Sequence, residues 1–536
     1  MKLSLILRSV TATWVAVLVG AATSFFLTPY ILHRLGDEAY GLWVLVVALS
    51  DYYLYLQVGV RSAIVRFVSR NLALEKTDSV NQTIATSFYF FMGIFTIVVC
   101  IAISLEHHVS SFFSVRPVDA AAFASLFLLV GIAQAFDFPL SVFEGALEAV
   151  GRFDQLYSFR IIGLLLRVVL IVGVLTHGGG LFGVGAATVL STLVLRFLAV
   201  PLAFREVEGF SLHPRGINKD MFKQMLGYGI TSYSVGMGDR LKNSLYPIVL
   251  AKFVSPIAVT MYSLPFKLLN VPLNGISTMT EFVNPLSSQL EAHQDNAGLR
   301  KLLILCGECA YILFAPLAVL MIVLGKQMIM LWVGNSYAST YPLLVLLTIG
   351  LGVSTTQAST QSLLFGIGRH KGLIWMRLTE ALGAAALGVA LLRPWGLWGY
   401  AFATMVTCLA INMVMVPRYA CKILEMPVSR YLAKGCLKPC LFSIPLAVAL
   451  VGFNHAFPVK TWLGVISGIV LAGAVYGLTL LAGAFASMRY RTAWSTMSIL
   501  NLLQKRFLEG KIDLDLAANT AVLNEYEKAE EQSVAE

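Results

Sequence analysis

Runs of about twenty apolar residues recur along the chain, centred near residues 20, 50, 92, 132, 166, 192, 236, 267, 313, 353, 383, 408, 446 and 474. A helix rises about 1.5 Å per residue, so each run is long enough to cross roughly 30 Å of hydrocarbon. No water satisfies backbone N–H and C=O groups there, which leaves helices as the solution for segments of this length. Composition agrees: 57% of the 536 residues are hydrophobic, 13% are charged, and the mean hydropathy is +0.77. The sequence predicts an all-α polytopic membrane protein with about fourteen transmembrane helices.

The net charge of +10 does not indicate nucleic acid, because the basic residues gather in short loops between apolar runs. With the chain starting in the cytoplasm, twenty Lys and Arg, among them Arg70, Lys76, Arg152, Arg369 and Lys371, fall on the inner side. Six fall outside: Arg34, Arg116, Lys252, Lys326, Arg393 and Lys460. Lys and Arg resist translocation, so this asymmetry predicts that both termini are cytoplasmic. The first apolar run is too long for a signal-peptide core and reads as an uncleaved helix.

The chain also repeats itself. LTPYILHRLG at 27–36 returns as YPIVLAKFVS at 246–255, so that Pro29 falls on Pro247 and Arg34 on Lys252. LEAVGRFD places Gly151-Arg152 after the fourth span, and LFGIGRHK places Gly368-Arg369 after the tenth. One pair alone reads equally well as an ordinary helix end with a basic anchor; two pairs at almost one spacing point to a duplicated six-helix unit. An even number of spans gives parallel repeats about an axis along the membrane normal, hence two facing lobes that alternate access between them. The expected division is an N-terminal lobe at 1–205, a cytoplasmic linker at 206–222, a second lobe at 223–424, two additional helices at 425–487 and a cytoplasmic tail at 488–536. Glu525, Glu527, Glu530, Glu531 and Glu536 make that tail acidic, which predicts a short surface helix followed by disorder.

LGDEAYGLW from Leu35 to Trp43, DRLKNSLYPIVLAKF opening with Asp239-Arg240, and LWVGNSY from Leu331 to Tyr337 together resemble the polysaccharide flippases of the multidrug, oligosaccharidyl-lipid and polysaccharide exporter superfamily, which includes O-antigen flippases and is related to the lipid II flippase. In order, these motifs cover nearly the whole chain. The second copy departs from the pattern, with Val254 and Ala258 where glycines are usual before Tyr262, whereas the first copy keeps Gly36 and Gly41. The resemblance implies a carrier in the bacterial cytoplasmic membrane that moves a polyprenyl-diphosphate-linked glycan to the outer leaflet, for surface polysaccharide biosynthesis.

Charges inside spans cost roughly 2.5 to 3.5 kcal/mol each on insertion scales, so they face a bundle interior or a wet cavity. Arg160 and Arg167 are seven apart and share a helix face; Arg240 and Lys267 lie in spans seven and eight. Guanidinium and ammonium groups suit a diphosphate, which makes Arg160, Arg167, Arg240 and Lys267 the candidate headgroup ligands in a cleft between the lobes. Arg61 and Arg66, at the cytoplasmic end of span two, are candidates to recruit the anion and equally read as anchors or binders of anionic membrane lipids. Arg167 has an alternative role against Asp137 or Glu144, and Arg240 against Asp239 or Asn243; Arg196 reads as snorkelling to the cytoplasmic surface.

The intramembrane acids Asp51, Asp137, Glu144, Asp239, Glu281, Glu308 and Glu380 include possible proton or sodium sites, with Asp51, Asp239 and Glu281 carried forward for coupling. No metal or other cofactor is expected: Cys306 and Cys309 have metal-pair spacing but no second ligand pair, and His107-His108 lacks a third ligand. The competing readings are a cation-coupled drug antiporter of the same superfamily and a membrane-embedded polymerase or ligase. The outer loops are short, and no Ser-His-Asp set or nucleotide loop accompanies them. Cytoplasmic glycosyltransferases and other polysaccharide-assembly proteins are potential partners for the tail, though no motif names them.

Overall fold

The computed structural model describes residues 3–486 except 58, 208, 279, 281 and 282, without the side chains of 3–11, 13, 14, 228, 230–237, 239 and 484–486. The tail predicted at 488–536 lies outside these residues. The first lobe comprises α1 (Leu3–Leu35), α2 (Asp37–Asp51), α3 (Val60–Ala73), α4 (Thr77–Phe112), α5 (Pro117–Ala149), α6 (Phe153–Thr176) and α7 (Gly180–Glu206). The second comprises α8 (Lys219–Phe253), α9 (Pro256–Thr278), α10 (Val283–Ala292), α11 (Asn296–Val333), α12 (Tyr341–Thr356), α13 (Ala358–Gly366), α14 (Lys371–Leu409) and α15 (Val416–Ile423). After them come α16 (Val428–Tyr431), α17 (Lys438–Leu441), α18 (Ile444–Ala456) and α19 (Trp462–Ala486).

Among the described residues, eleven segments are long and apolar enough to span a membrane. They become the fourteen expected spans when the 53-residue run Lys371–Ile423 is divided at Gly396, whose φ of 56° breaks α14, and when the more polar α8 and α9 are added. Several spans are built from two pieces. A 3-10 turn at Tyr52–Gln57 and Gly59, at φ 69°, separate α2 from α3, and Gln357 separates α12 from α13.

The duplication is visible in the turns. α2–α3 occupies 37–73 and α9–α10 occupies 256–292, the same length. After Ala149 the Arg152 N–H donates to the Leu147 carbonyl at 3.0 Å, and after Gly366 the Arg369 N–H donates to the Leu364 carbonyl at 2.9 Å. Gly151 and Gly368 supply the left-handed residue at φ 79° and 66°, so one Schellman closure ends both equivalent spans. The α1–α2 turn is Gly36 alone, at φ 81°. Its counterpart has two residues, Val254 at φ −127° and Ser255, whose Oγ accepts from the Ala258 N–H at 3.2 Å. The added serine cap closes the second outer turn without a glycine.

The lobes meet where α2 packs against α9 and α8. A Cβ at Gly41 would sit 1.9 Å from the Pro256 carbonyl oxygen, so glycine lets the two outer helix ends touch. Around this contact Thr260 Oγ1 donates to the Asp37 carbonyl at 2.5 Å, Tyr337 OH donates to the Asp37 carboxylate, and Trp332 Nε1 donates to the Phe25 carbonyl at 2.7 Å. The end assigned to the outside by the charge asymmetry is closed. Toward the other end α9 exposes Val271 and Asn274.

The added helices α18 and α19 pack on α11, where Tyr476 OH donates to the Ile312 carbonyl at 2.9 Å, and expose Val448, Leu463 and Val470. Substituting Gly41→Val removes the space that the Pro256 carbonyl occupies. In a cysteine-free background carrying spin labels at 112 and 253, which lie across the outer closure, the variant is expected to add a longer-distance population by pulsed electron resonance. An unchanged distance distribution would show that the closure tolerates the methyl groups.

Candidate functional site

Inside the first lobe, α5 packs along α7 and α6 along α7. The aligned faces enclose a cavity of about 480 Å³ whose lining includes Arg61, Glu144, Glu148, Arg160, Arg167 and Arg196. It begins near Phe153 at the start of α6 and reaches Arg167, fourteen residues or roughly 21 Å farther along that helix. The seven-residue spacing of Arg160 and Arg167 brings both to this one space. Gly163 lies between them, where a Cβ would meet Leu195 at 1.8 Å, so glycine sets how closely α6 approaches α7.

The carboxylates in and beside the cavity are already engaged. Arg61 pairs with Glu144 at 2.8 Å and Glu148 at 2.7 Å. Arg196 pairs with Asp137 at 3.0 Å and Glu144 at 3.3 Å. The snorkelling expected of Arg196 is therefore incorrect: α7 is packed along α5, and its face carries the guanidinium onto the buried Asp137 and the half-buried Glu144. Arg167 consequently does not reach Asp137 or Glu144. Its Nη2 donates to Thr192 Oγ1 at 3.0 Å, and its buried Nε has no partner among the described residues. Arg160 is exposed, and no described carboxylate lies within ion-pair distance of it. Two cations thus share a cavity whose acids belong to other arginines.

Lys267 and Arg240 lie elsewhere, so the four expected headgroup ligands do not line one cavity. Lys267 Nζ donates to Tyr40 OH at 2.6 Å and lies 4.9 Å from that ring's centre, within the outer closure between the lobes. Arg240 is exposed on α8 and exerts its field on Asp51, whose carboxylate accepts from Ser244 Oγ at 3.5 Å. Arg66 is half-buried on α3 beside the Phe67 ring, 6.0 Å away. The Asp239 side chain and Glu281 lie outside the described residues.

The second lobe holds a charge cluster that the sequence reading did not assemble. Glu380, 1% exposed, accepts from Lys242 Nζ at 2.8 Å and from Arg377 Nη1 at 2.6 Å. Ser354 Oγ lies between the two cations, and Asn412 Nδ2 donates to Glu380 at 3.1 Å from a π-helical turn at Ala410–Met415. Only Glu380 was singled out beforehand. The i,i+3 pair Arg377 and Glu380 inside an apolar run was the available signal.

A family profile described as polysaccharide biosynthesis protein matches residues 31–342. The chain belongs to that family. The solved structures similar to this family member include the lipid II flippase MurJ in an inward closed conformation, at 14% identity, TM-score 0.68, covering 91% of this chain and 99% of that one. An inward-facing multidrug resistance MATE family transporter of the MOP superfamily matches at 12% identity and TM-score 0.67, over 76% and 94%. A MOP superfamily transporter from Pyrococcus furiosus matches at 15% and TM-score 0.53, over 78% and 96%. These likenesses show the fold that the chain shares with these transporters. No curated protein sequence matches the chain significantly.

The pairing pattern separates structural arginines from the rest. Arg196→Ala strands Asp137 in the lobe and is expected to destabilise the folded protein by about 3 kcal/mol, the low end for a broken buried pair. Arg160→Ala breaks no pair and should leave the thermal midpoint in detergent unchanged. Equal shifts for the two variants would contradict the division of roles.

Proposed function

We propose that this member of the polysaccharide biosynthesis family is a flippase that carries a polyprenyl-diphosphate-linked oligosaccharide from the inner to the outer leaflet of the bacterial cytoplasmic membrane. The observation that carries the reading is the pair Arg160 and Arg167, facing one cavity and joined to no described carboxylate. A diphosphate supplies the acceptor oxygens that these guanidinium groups lack, while the sugars occupy the wet space and the polyprenyl chain stays in lipid. Both the family and the two-lobed fold suit such a load. MurJ, by its description, acts on lipid II, another lipid-linked glycan. The reading assigns the chain to transport rather than to glycan chemistry.

Movement of the lobes exchanges the open end, and the polar closure at Asp37, Tyr40 and Lys267 is the contact to be separated. Lys267 and Arg240 then meet the headgroup on its way out, and Arg61 and Arg66 meet it at the cytoplasmic end. Coupling to a proton or sodium gradient is assigned to Asp51, which faces Ser244 and the charge of Arg240 between the lobes.

In proteoliposomes containing a fluorescent polyprenyl-diphosphate sugar, the wild-type protein is expected to deliver the lipid to the opposite leaflet. A hydrogen bond to a charged group contributes about 1.5 to 3 kcal/mol, so the double variant Arg160→Ala, Arg167→Ala should slow transfer by at least about tenfold with normal insertion. Wild-type transfer rates in that variant would remove the anion site. Expulsion of a cationic dye without any lipid transfer would favour an antiporter.

A further inference from the structure

The charge clusters of the two lobes stand at equivalent positions of the repeat. α6 and α14 both run on without interruption from the matching turns at Gly151-Arg152 and Gly368-Arg369, so RIIGLLLR at 160–167 is equivalent to RLTEALGA at 377–384. Farther on, GLFGVGAAT at 180–188 returns as GLWGYAFAT at 396–404, and Gly180 and Gly396 have the same φ of 56°. Arg160 thus falls on Arg377, Gly163 on Glu380, Arg167 on Ala384 and Arg196 on Asn412. Counting back from the two turns, Asp137 and Glu144 fall on Ser354 and Gln361.

These matched positions differ in charge in a concerted way. In the first lobe Asp137 and Glu144 are held by Arg196. In the second the three counterparts are neutral, and the acid is instead Glu380 on α14. Arg377 Nη1 donates to that carboxylate at 2.6 Å, and Lys242, Cys408 and Asn412 donate to it as well. The second lobe therefore shows, in the chain's own atoms, that a carboxylate is the partner of an arginine at this point of the fold. The first lobe keeps the arginine as Arg160, adds Arg167, and has Gly163 where that carboxylate would be attached. No described carboxylate lies within ion-pair distance of Arg160 or Arg167, and the buried Nε of Arg167 has no described partner. Two like charges in one cavity oppose each other unless an anion joins them. Close packing explains why residue 163 has no side chain, since a Cβ would meet Leu195 at 1.8 Å, but it does not explain an arginine in place of Ala384. The two arginines are separated by roughly 10 Å of helix rise, a gap that an anion with two charged centres spans more fully than a single carboxylate.

We propose that an anionic head with two charged centres lies beside Gly163, its oxygens taking at Arg160 and Arg167 the place that the Glu380 carboxylate takes at Arg377, and that Gly163 is the position that keeps the first lobe open to an external anion. The inference rests on the flippase reading for the identity of that head, a diphosphate.

The test compares Gly163→Glu with Gly163→Gln, each combined with Leu195→Ala to make room, in the full-length protein in phosphatidylcholine nanodiscs. Binding of inorganic pyrophosphate and of a short-chain prenyl diphosphate is followed by calorimetry. Gln has the shape of Glu without its charge, so the pair cancels the effect of filling the space. The Gln variant is expected to bind at least about tenfold more tightly than the Glu variant, in which a built-in carboxylate occupies the arginines. Thr192→Asp against Thr192→Asn sets a carboxylate beside Arg167 from α7 without touching Gly163 and should give the same ratio; it decides the question where the Gly163 variants fail to insert. Equal affinities within the deciding pair, or no binding of either diphosphate by the wild type, would overturn the inference. Selective loss in the Glu variant of a protein that binds only the inorganic anion, or that transfers no polyprenyl-diphosphate lipid, would leave the anion position standing and remove the flippase reading. Lipid transfer at equal rates in the Glu and Gln variants would do the reverse.

Discussion

Arg196 reaches Asp137 and Glu144 from one position on α7, and Arg61 reaches Glu144 and Glu148 from α3. This network sets the electrostatics of the first lobe. Charges in a low-dielectric interior are tolerated when paired, and removing one partner strands the other at a cost of about 3 to 5 kcal/mol. Three acids and two arginines therefore satisfy one another and tie α3, α5 and α7 into one body. The same arrangement leaves no described carboxylate for Arg160 and Arg167, so the described lining of the cavity beside the network carries an excess of positive charge.

The second lobe uses the same helical plan for different chemistry. Its Schellman turn at Gly368 copies the turn at Gly151, yet the paired charges there centre on Glu380 from α14, with Lys242 from α8. Arg160 and Arg167 face the cavity of the first lobe, whereas Lys242, Arg377 and several side-chain amides line that of the second. The duplicated halves thus keep one scaffold while the side chains that line their cavities have diverged.

Much of the scaffold could be read from the chain. Spans follow from apolar length, and the repeated turns from glycines that must adopt positive φ, so the fourteen helices and the two lobes were legible without coordinates. Arg160 and Arg167 were also legible as a pair, since spacing within one helix fixes their common face. What spacing cannot give is the neighbour of that face. Arg196 looked close enough to the surface to snorkel because its partners, Asp137 and Glu144, are more than fifty residues away in sequence. Lys242 escaped notice for the same reason: Glu380 is 138 residues distant, and only the packing of α8 on α14 joins them. Lys267 was placed at the correct interface but toward a free cleft, whereas its long side chain reaches Tyr40 on α2.

The strength of contacts within and between the lobes differs in kind. Within each lobe the charges are closed into ionic networks, half-buried in the first and buried in the second, whose disruption is expensive. Between the outer ends an apolar core shared by Leu42, Leu45, Leu250 and Val259 is accompanied by a few neutral or singly charged hydrogen bonds: Thr260 to Asp37, Lys267 to Tyr40, Trp332 to the Phe25 carbonyl. Each such bond contributes about 0.5 to 3 kcal/mol net, and water can replace it when the helices part. Gly41 adds close approach without interlocking side chains, since it presents only backbone to Pro256. Link for link, these polar contacts are weaker than the ionic networks within the lobes, and the proposed opening of the outer end draws on that difference.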